Sequence, residues 1–280
     1  MRPITRRDFL KGSAIAALTL LPCGRLLART AWAAAPAGAS NYYLEHKGEL
    51  IAAFADALGG VAQFLAPEFG GKRAKNICDQ ALTAFQELLP ELPEVGGERN
   101  WDTQFLPIAA WYVAIYGPLR VNGKTAEDVG KLIYDLNNID LACVPREKVL
   151  TEQERLFSPA YMEEMRQWAA WTQLRQYPEN WVAEFVEGDG EEDFDYGIYY
   201  SECALVKYFR VQSLPELAPY ICLNDFPRSK AYGTGLRRTK TLAAGDGVCN
   251  FRYKKGRPVV NDWSTEIGRL RAKAAGRGEL

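Results

Sequence analysis

The chain has 280 residues, a formal net charge of −1 at pH 7 and a single histidine, His46. One histidine makes a Ser-His-Asp triad, a histidine-rich zinc site and an imidazole-ligated copper site poor explanations of its function. The mild overall charge argues against a nucleic-acid partner, because phosphate binding requires a clustered basic face.

The first 35 residues have the features of a twin-arginine (Tat) export signal. They contain a basic pair, a Phe-Leu-Lys run, a short apolar stretch and a small-residue cleavage site: Arg6-Arg7, Phe9-Leu10-Lys11, 14–21 and Ala31-Trp32-Ala33. The apolar stretch is shorter than the roughly 20 residues that a stable membrane span needs. The sequence therefore predicts that 1–35 is a signal peptide and that the mature protein is periplasmic or extracellular.

Removal of this leader changes the charge and the cysteine content. The leader carries a net charge of +5, so the mature chain has a charge near −6. It also contains Cys23, which leaves a lipoprotein signal open as an alternative, although the preceding Pro22 is unfavourable at such a site. Five cysteines remain, and in an oxidising compartment an odd one is left as a thiol. No mature segment is predicted to span a membrane.

Residues 36–175 are predicted to be mainly helical. Apolar residues recur at helical spacing in three stretches: Ile77, Ala81, Phe85 and Leu88; Phe105, Ile108, Ala109, Tyr112 and Tyr116; and Val129, Leu132, Ile133 and Leu136. Thr125 is the expected N-cap of the third helix, and Ser158 before Pro159 marks the start of a fourth that buries Met162, Met165 and Trp168. His46 is expected at an exposed helix start.

Residues 176–255 are predicted to combine strands with short helices. Residues 181–186 and the alternating run 194–200 favour two strands joined by the acidic link 187–193. The link invites comparison with a calcium loop, but Phe194 and Tyr200 occupy the positions where an EF-hand needs glycine and glutamate. A solvated hairpin link is therefore expected.

The rest of this part contains two short helices and a second hairpin. Cys203 is predicted to open one helix, and 214–222 contains the other. Residues 236–242 and 248–253 are predicted to pair as strands around Gly245-Asp246-Gly247. The tail, 256–280, is expected to be a loosely held helix. These elements predict an α+β fold, with a helical N-terminal part packed on a C-terminal antiparallel sheet with short helices.

Five short motifs follow one another in this C-terminal part: Cys203-Ala204, Leu214-Pro215-Glu216-Leu217, Cys222-Leu223-Asn224-Asp225, Arg238-Thr239-Lys240-Thr241-Leu242-Ala243-Ala244-Gly245 and Cys249-Asn250-Phe251. Their order resembles the L-2-amino-thiazoline-4-carboxylic acid hydrolase family, over residues 70–255 or so. The resemblance implies a hydrolase that opens a small sulfur heterocycle to give N-carbamoyl-L-cysteine.

The chemistry of such a ring opening indicates which side chains to consider. Water must add to the amidine-like ring carbon, so a base or a covalent nucleophile is needed. Because the one histidine is distant in sequence, Asp225 is the candidate base and Cys203 or Cys249 the candidate nucleophile. A nearby Arg238 would lower a thiol pKa or bind the substrate carboxylate. Thr239 is a second candidate for substrate binding.

Other roles for the cysteines stay open at this point. Cys203, Cys222 and Cys249 each fit a small buried side chain or a disulfide. With Asp225 they supply four ligands of types that zinc accepts, although their spacing is not a known zinc signature. Asp225 also fits a turn cap. No cofactor is predicted.

A fainter similarity links the final hairpin to 4-vinyl reductase domains, which are small-molecule sensors, some of them holding zinc. The similarity lies in Gly245-Asp246, Cys249 and Phe251. Arg238 and Thr241 stand where that pattern has an acid and a cysteine, so zinc binding of that kind is not expected.

The predicted function is an exported hydrolase acting on a small cyclic C–N/C–S substrate through cysteine and aspartate chemistry. The alternative is a non-catalytic small-molecule-binding or partner subunit of an exported complex. Tat substrates commonly fold before export with a partner that carries the signal, so a co-exported protein partner is considered besides the small molecule. The third hypothesis is a structural metal protein that uses the cysteines.

Overall fold

The computed structural model describes residues 41–188 and 193–275. The predicted export signal, residues 189–192 of the acidic link and the end of the tail, 276–280, lie outside the described residues. The acidic link that was compared with an EF-hand includes 189–192, so that comparison rests on sequence alone.

Helices make up most of the described chain. They are α1 Tyr42–Glu45, α2 Lys47–Phe69, α3 Gly71–Leu88, α4 Phe105–Val121, α5 Ala126–Ala142, α6 Arg146–Leu156, α7 Pro159–Thr172, α8 Ala204–Val211, α9 Ala218–Leu223, α10 Asp225–Tyr232 and α11 Trp263–Ala275. The strands β1 Val182–Glu187, β2 Tyr196–Glu202 and β3 Cys249–Tyr253 form one antiparallel sheet in the order β1-β2-β3. This arrangement confirms the predicted α+β fold.

Two helices begin at the caps that the sequence predicts. At the start of α5, the Thr125 hydroxyl accepts from the Asp128 amide at 3.1 Å, and the Asp128 carboxylate accepts from the Thr125 amide at 2.8 Å. At the start of α7, the Ser158 hydroxyl accepts from the Tyr161 amide at 3.2 Å. Each cap satisfies an amide that helix geometry leaves without a partner.

His46 lies at the junction between α1 and α2, as expected for a residue at a helix start. Its ring is half-buried and stacks on Tyr42, with the centroids 4.2 Å apart. Its Nδ1 lies 2.9 Å from the Tyr42 carbonyl oxygen. His46 therefore has a local structural role between two helices.

Helix α2 corrects the expectation that no segment after the leader suits a membrane span. By length and composition alone it is apolar enough to cross a membrane, and no other helix in 41–188 or 193–275 is. Alanines on its exposed side contribute to this apolar composition. In this structure four of its larger side chains belong to the main core: Phe54, Leu58, Val61 and Leu65.

Three clusters of buried apolar side chains join the elements. The main cluster connects α2–α5 with α8 and α9. A second packs α7 against one face of the sheet and includes Met165 and Trp168, which confirms the predicted inner side of that helix. A third joins α10 and α11 through Phe226 and Ile267. Because Ile267 is buried, α11 is held more firmly than the sequence predicts.

The second predicted hairpin is wrong in its first strand. Residues 236–242 contribute one isolated bridge, between Arg237 and Arg252, and β3 pairs instead with β2. The cause is Asn250, whose Oδ1 accepts from the amides of Thr239 and Lys240 at 3.0 and 2.7 Å. Side-chain bonds of this kind compete with a regular backbone ladder.

Three side chains of β3 share one face of the sheet. Cys249, Phe251 and Tyr253 alternate along the strand and lie opposite Tyr200, Ile198 and Tyr196 of β2. Since side chains alternate between the two faces of a strand, these three share the face that packs towards α7. This register brings the first residue of β3 next to the end of β2.

Candidate active site

Five of the six residues singled out from the sequence come together beside the end of the sheet. Cys203 follows β2 and precedes α8, Cys249 begins β3, and Asp225 begins α10 just after Cys222. The pKa of the Cys222 thiol is influenced by four of their groups: the charges of Asp225 and Arg238 and the thiols of Cys203 and Cys249. The convergence follows from the β2–β3 pairing and from the direct succession of α9 and α10.

These side chains form a partly open cluster, here called the recess. Cys203 and Cys222 are half-buried, and the Asp225 side chain is 39% exposed. Burial is nevertheless the largest cause that raises the pKa of each of the three groups. The cluster is therefore partly open to water and partly desolvated by the surrounding protein.

Aromatic side chains form one wall of the recess. Tyr200, Phe251 and Tyr253 are half-buried on the shared face of β2 and β3. The ring of Phe251 lies 5.5 Å from that of Tyr200 and 6.4 Å from that of Tyr253. The charge of Asp225 acts on both tyrosine hydroxyls and, after burial, raises their pKa further. The recess therefore combines an apolar wall with a carboxyl group.

Arg238 is the buried cation beneath this recess. Its side chain is 1% exposed and forms an ion pair with Asp225 through Nη1, while Nη2 donates to the Cys222 carbonyl at 2.9 Å. The guanidinium carbon lies 4.9 Å from the ring centroids of both Phe226 and Phe251. With these contacts, Arg238 holds Asp225 in place and is not presented to a substrate carboxylate in this structure.

Asp225 is the accessible carboxyl of the cluster. Burial raises its pKa, and the charge and hydrogen bond of Arg238 oppose that rise. The side chain remains within reach of water or of a ligand because two-fifths of it is exposed. Asp225 thus has the position expected of a group that contacts a substrate.

The thiols are protonated in this environment. Burial raises the pKa of Cys203 to about 12 and that of Cys222 well above its ordinary value. The pKa of Cys249 is raised too, although the Leu242 amide, 3.2 Å from its Sγ, and Arg238 oppose the effect. The predicted lowering of a thiol pKa by Arg238 is therefore outweighed by desolvation.

The described geometry shows neither a disulfide nor a metal cluster at the cysteines. The cysteines at 78, 143, 203, 222 and 249 are all free thiols. Among residues 41–188 and 193–275, no three His, Cys, Asp or Glu side chains are arranged to hold a metal ion. The four-ligand zinc set considered from the sequence is thus not assembled here.

Thr239 does not join the recess. It is exposed, and its hydroxyl accepts from Asn250 Nδ2 at 2.9 Å. Asn250 alternates with Cys249 and Phe251 along β3, so it faces the opposite side of the strand. The structure places Thr239 on the outside of the sheet, away from the other five residues.

Asp102 is a carboxyl of this region that the sequence analysis missed. It lies in the 3₁₀ turn Trp101–Gln104, is 3% exposed, and has no partner for Oδ2 among the described residues. Burial raises its pKa to about 7, with the Asp225 charge adding to the rise and the nearby Tyr200 hydroxyl opposing it. The sequence signal that could have indicated Asp102 is its position as a lone acid between Trp101 and an apolar helix.

A groove between α7 and β1 offers no comparable chemistry. Its lining residues are Arg166, Ala169, Ala170, Gln173, Ala183, Glu184 and Phe185. It contains none of the predicted site residues, and Arg166 is paired with Glu163 and Glu187. The recess with Asp225 is therefore the stronger candidate site.

The fold and the recess define an α+β protein with carboxyl and thiol groups gathered beside the end of the sheet. Residues 108–253 match the family model of L-2-amino-thiazoline-4-carboxylic acid hydrolase. That span is more than half of the chain, so the chain belongs to this family, as the order of its motifs predicts. Membership supports hydrolase function at the level of the family. Neither a curated protein nor a solved structure matches the chain.

Proposed function

We propose that the mature protein is a hydrolase that opens a small cyclic C–N/C–S substrate of the L-2-amino-thiazoline-4-carboxylate type. The observation that carries the proposal is the accessible carboxyl of Asp225, held by buried Arg238 in a recess with three thiols. A protonated amidine is a cation, so a fixed carboxylate is a suitable partner for the ring. The aromatic wall formed by Tyr200, Phe251 and Tyr253 suits a small planar ring.

The state of the thiols favours water over cysteine as the attacking group. At pH 7, forming a thiolate on a thiol of pKa about 12 costs roughly 7 kcal/mol, since one pKa unit corresponds to about 1.4 kcal/mol. Attack by Cys203 would begin with that cost. Cys249 is the better thiol candidate because the Leu242 amide and Arg238 both favour its thiolate. Carboxylate-assisted addition of water needs no thiolate.

A turnover assay with L-2-amino-thiazoline-4-carboxylate tests this proposal through release of a new thiol. Asp225→Asn is expected to lower kcat/KM by about 10²- to 10³-fold, because losing one partner of a desolvated charge pair costs about 2–5 kcal/mol. Cys203→Ser is expected to retain most of the activity. Cys143→Ser, a change at an exposed cysteine, is the matched control and is expected to leave the rate unchanged.

Each other outcome of this assay has a definite meaning. Equal rates in wild type and Asp225→Asn would remove Asp225 from the reaction. Complete loss in Cys249→Ser, with burst kinetics in the wild type, would establish a covalent thiol mechanism instead. Calorimetric binding of the compound without turnover in the wild type would favour the non-catalytic binding subunit.

We also propose that the protein is exported through the Tat route and acts in the periplasm or outside the cell. The support is the leader sequence, in which Arg6-Arg7 precedes Phe9-Leu10-Lys11. Replacing both Arg6 and Arg7 with lysine is expected to leave the unprocessed precursor in the cytoplasm, as measured by cell fractionation and blotting. Arg2→Lys, a basic change outside the pair, is the control. Equal export of all three forms would contradict the proposal.

A further inference from the structure

We propose that Asp102 transfers the proton between the attacking water and the leaving sulfur; this inference rests on the hydrolase function proposed above. Asp102 precedes the family-matched span, 108–253, and none of the five short motifs that carry the family resemblance includes it. Its carboxyl nonetheless lies within electrostatic range of Tyr200, Asp225 and Cys203. Asp102 therefore belongs to the same recess as the residues within the matched span.

The unpartnered oxygen of Asp102 is the first argument. Oδ2 is buried and accepts no hydrogen bond within 41–188 or 193–275. A buried polar atom without a partner destabilises the fold, and such atoms are rare in folded proteins. A water molecule or the reacting group of a substrate would satisfy this oxygen, which is what a proton-transfer role requires.

The rigid support of Asp102 is the second argument. The fully buried Asn100 accepts from the Asp102 amide at 3.1 Å and from Trp168 Nε1 at 3.0 Å. It also donates to the Val95 carbonyl at 2.7 Å and to Asn180 at 2.8 Å. These contacts fix the turn that carries Asp102, and a fixed carboxyl is an effective proton-transfer group.

The difference between the two carboxyl groups is the third argument. Asp225 is paired with Arg238, which stabilises its ionised form. The groups facing Asp102 are the Tyr200 hydroxyl from β2, the Asp225 carboxyl from α10 and the Cys203 thiol before α8. A carboxyl in such surroundings both accepts and releases a proton near neutral pH. Asp225 is then the partner of the cationic ring, and Asp102 is the acid and base.

The protons and bonds balance in this assignment. The water oxygen bonds to the ring carbon between nitrogen and sulfur as one water proton moves to Asp102, and the cationic amidine becomes a neutral intermediate. The C–S bond then breaks, and Asp102 returns its proton to the sulfur. The remaining hydroxyl proton leaves to solvent as the carbonyl forms. The product is N-carbamoyl-L-cysteine, with no oxidant or reductant consumed.

The test is the pH dependence of hydrolysis in wild type and Asp102→Asn. For the wild type we expect a limb of kcat against pH near pH 7; in Asp102→Asn we expect this limb to vanish and kcat to fall by about 10²- to 10³-fold. Asp102→Glu is expected to restore part of the rate, which a purely structural role would not do. An active wild type with an unchanged rate and limb in Asp102→Asn overturns the inference and leaves the hydrolase function intact.

A second measurement decides the matter even if the wild type shows no turnover, which would count against the proposed function alone. Infrared difference spectra between wild type and Asp102→Asn isolate the carboxyl band of Asp102 during a pH titration. Loss of the protonated band near pH 7 supports a proton-transfer group. Loss of that band at the pH of an ordinary aspartate overturns the inference, because such a group holds no proton at neutral pH.

Discussion

Arg238→Ala is expected to lower the free energy of unfolding by about 3 kcal/mol, the lower end of the range for removing one partner of a buried ion pair. Arg238 is 3% exposed and pairs with Asp225, and its guanidinium lies between Phe226 and Phe251. The lower end applies because the Asp225 side chain is 39% exposed and is partly rehydrated. Chemical denaturation followed by fluorescence measures the change.

The neighbouring arginine is the matched control for this prediction. Arg237 is exposed, and its bridge to Arg252 uses only backbone atoms. Arg237→Ala is therefore expected to leave stability nearly unchanged. The double variant Arg238→Ala/Asp225→Asn should lose less stability than the two single changes added together, since removing the acid relieves an unpaired charge. Equal losses in Arg237→Ala and Arg238→Ala would refute the buried pair.

Asp102→Asn is expected to stabilise the protein above neutral pH, by up to about 4 kcal/mol for a pKa shift of this size. The folded pKa of Asp102 is raised from 3.8 to about 7. Below pH 3.8 both states hold the proton and the aspartate has no such penalty. As pH rises towards 7, the unfolded chain releases this proton while the folded protein keeps it, so the wild type loses stability over this interval.

The measurement for this second prediction is the difference in unfolding free energy between Asp102→Asn and wild type from pH 4 to pH 8. Asparagine has the same shape and no charge, so the difference isolates Asp102 from other titrating groups. It should grow with pH and level off above about pH 7, the raised pKa of Asp102. A difference that stays constant over this range would show that Asp102 is already ionised in the folded protein.

Together these two predictions separate stability from function within one recess. Arg238 is expected to stabilise the fold, whereas ionised Asp102 is expected to destabilise it. A destabilising buried acid is retained where a reaction needs it, which is a common exchange of stability for activity. An Asp102 variant that gains stability and loses turnover would show this exchange of stability for activity.

Local sequence could indicate those site residues that lie within the short motifs. Cys203, Cys222, Asp225, Arg238 and Cys249 lie in short ordered motifs, and the structure brings them together. Thr239 is next to Arg238 in sequence but lies on the outside, because successive residues of an extended segment face opposite ways. Neighbouring positions in a motif therefore do not share a role.

The part that could not be predicted depends on long-range surroundings. The strand expected at 236–242 is absent because Asn250 Oδ1 accepts hydrogen bonds from the amides of Thr239 and Lys240. Alternating hydrophobicity in the sequence does not indicate such side-chain bonds. The expected effect of Arg238 on a thiol was correct in sign at Cys222 and Cys249, but desolvation is larger. Burial is a property of the whole fold, so a sequence motif does not report it.

The sequence by itself determined the family, the α+β class and the starts of α5 and α7, because caps, periodicity and motif order are local. The tertiary structure alone decided that Asp102 lies with Tyr200, Cys203 and Asp225. It also decided which carboxyl is paired with an arginine and which is not. Those properties depend on dielectric surroundings and on contacts between distant segments, and they set the proton affinities on which the proposed chemistry depends.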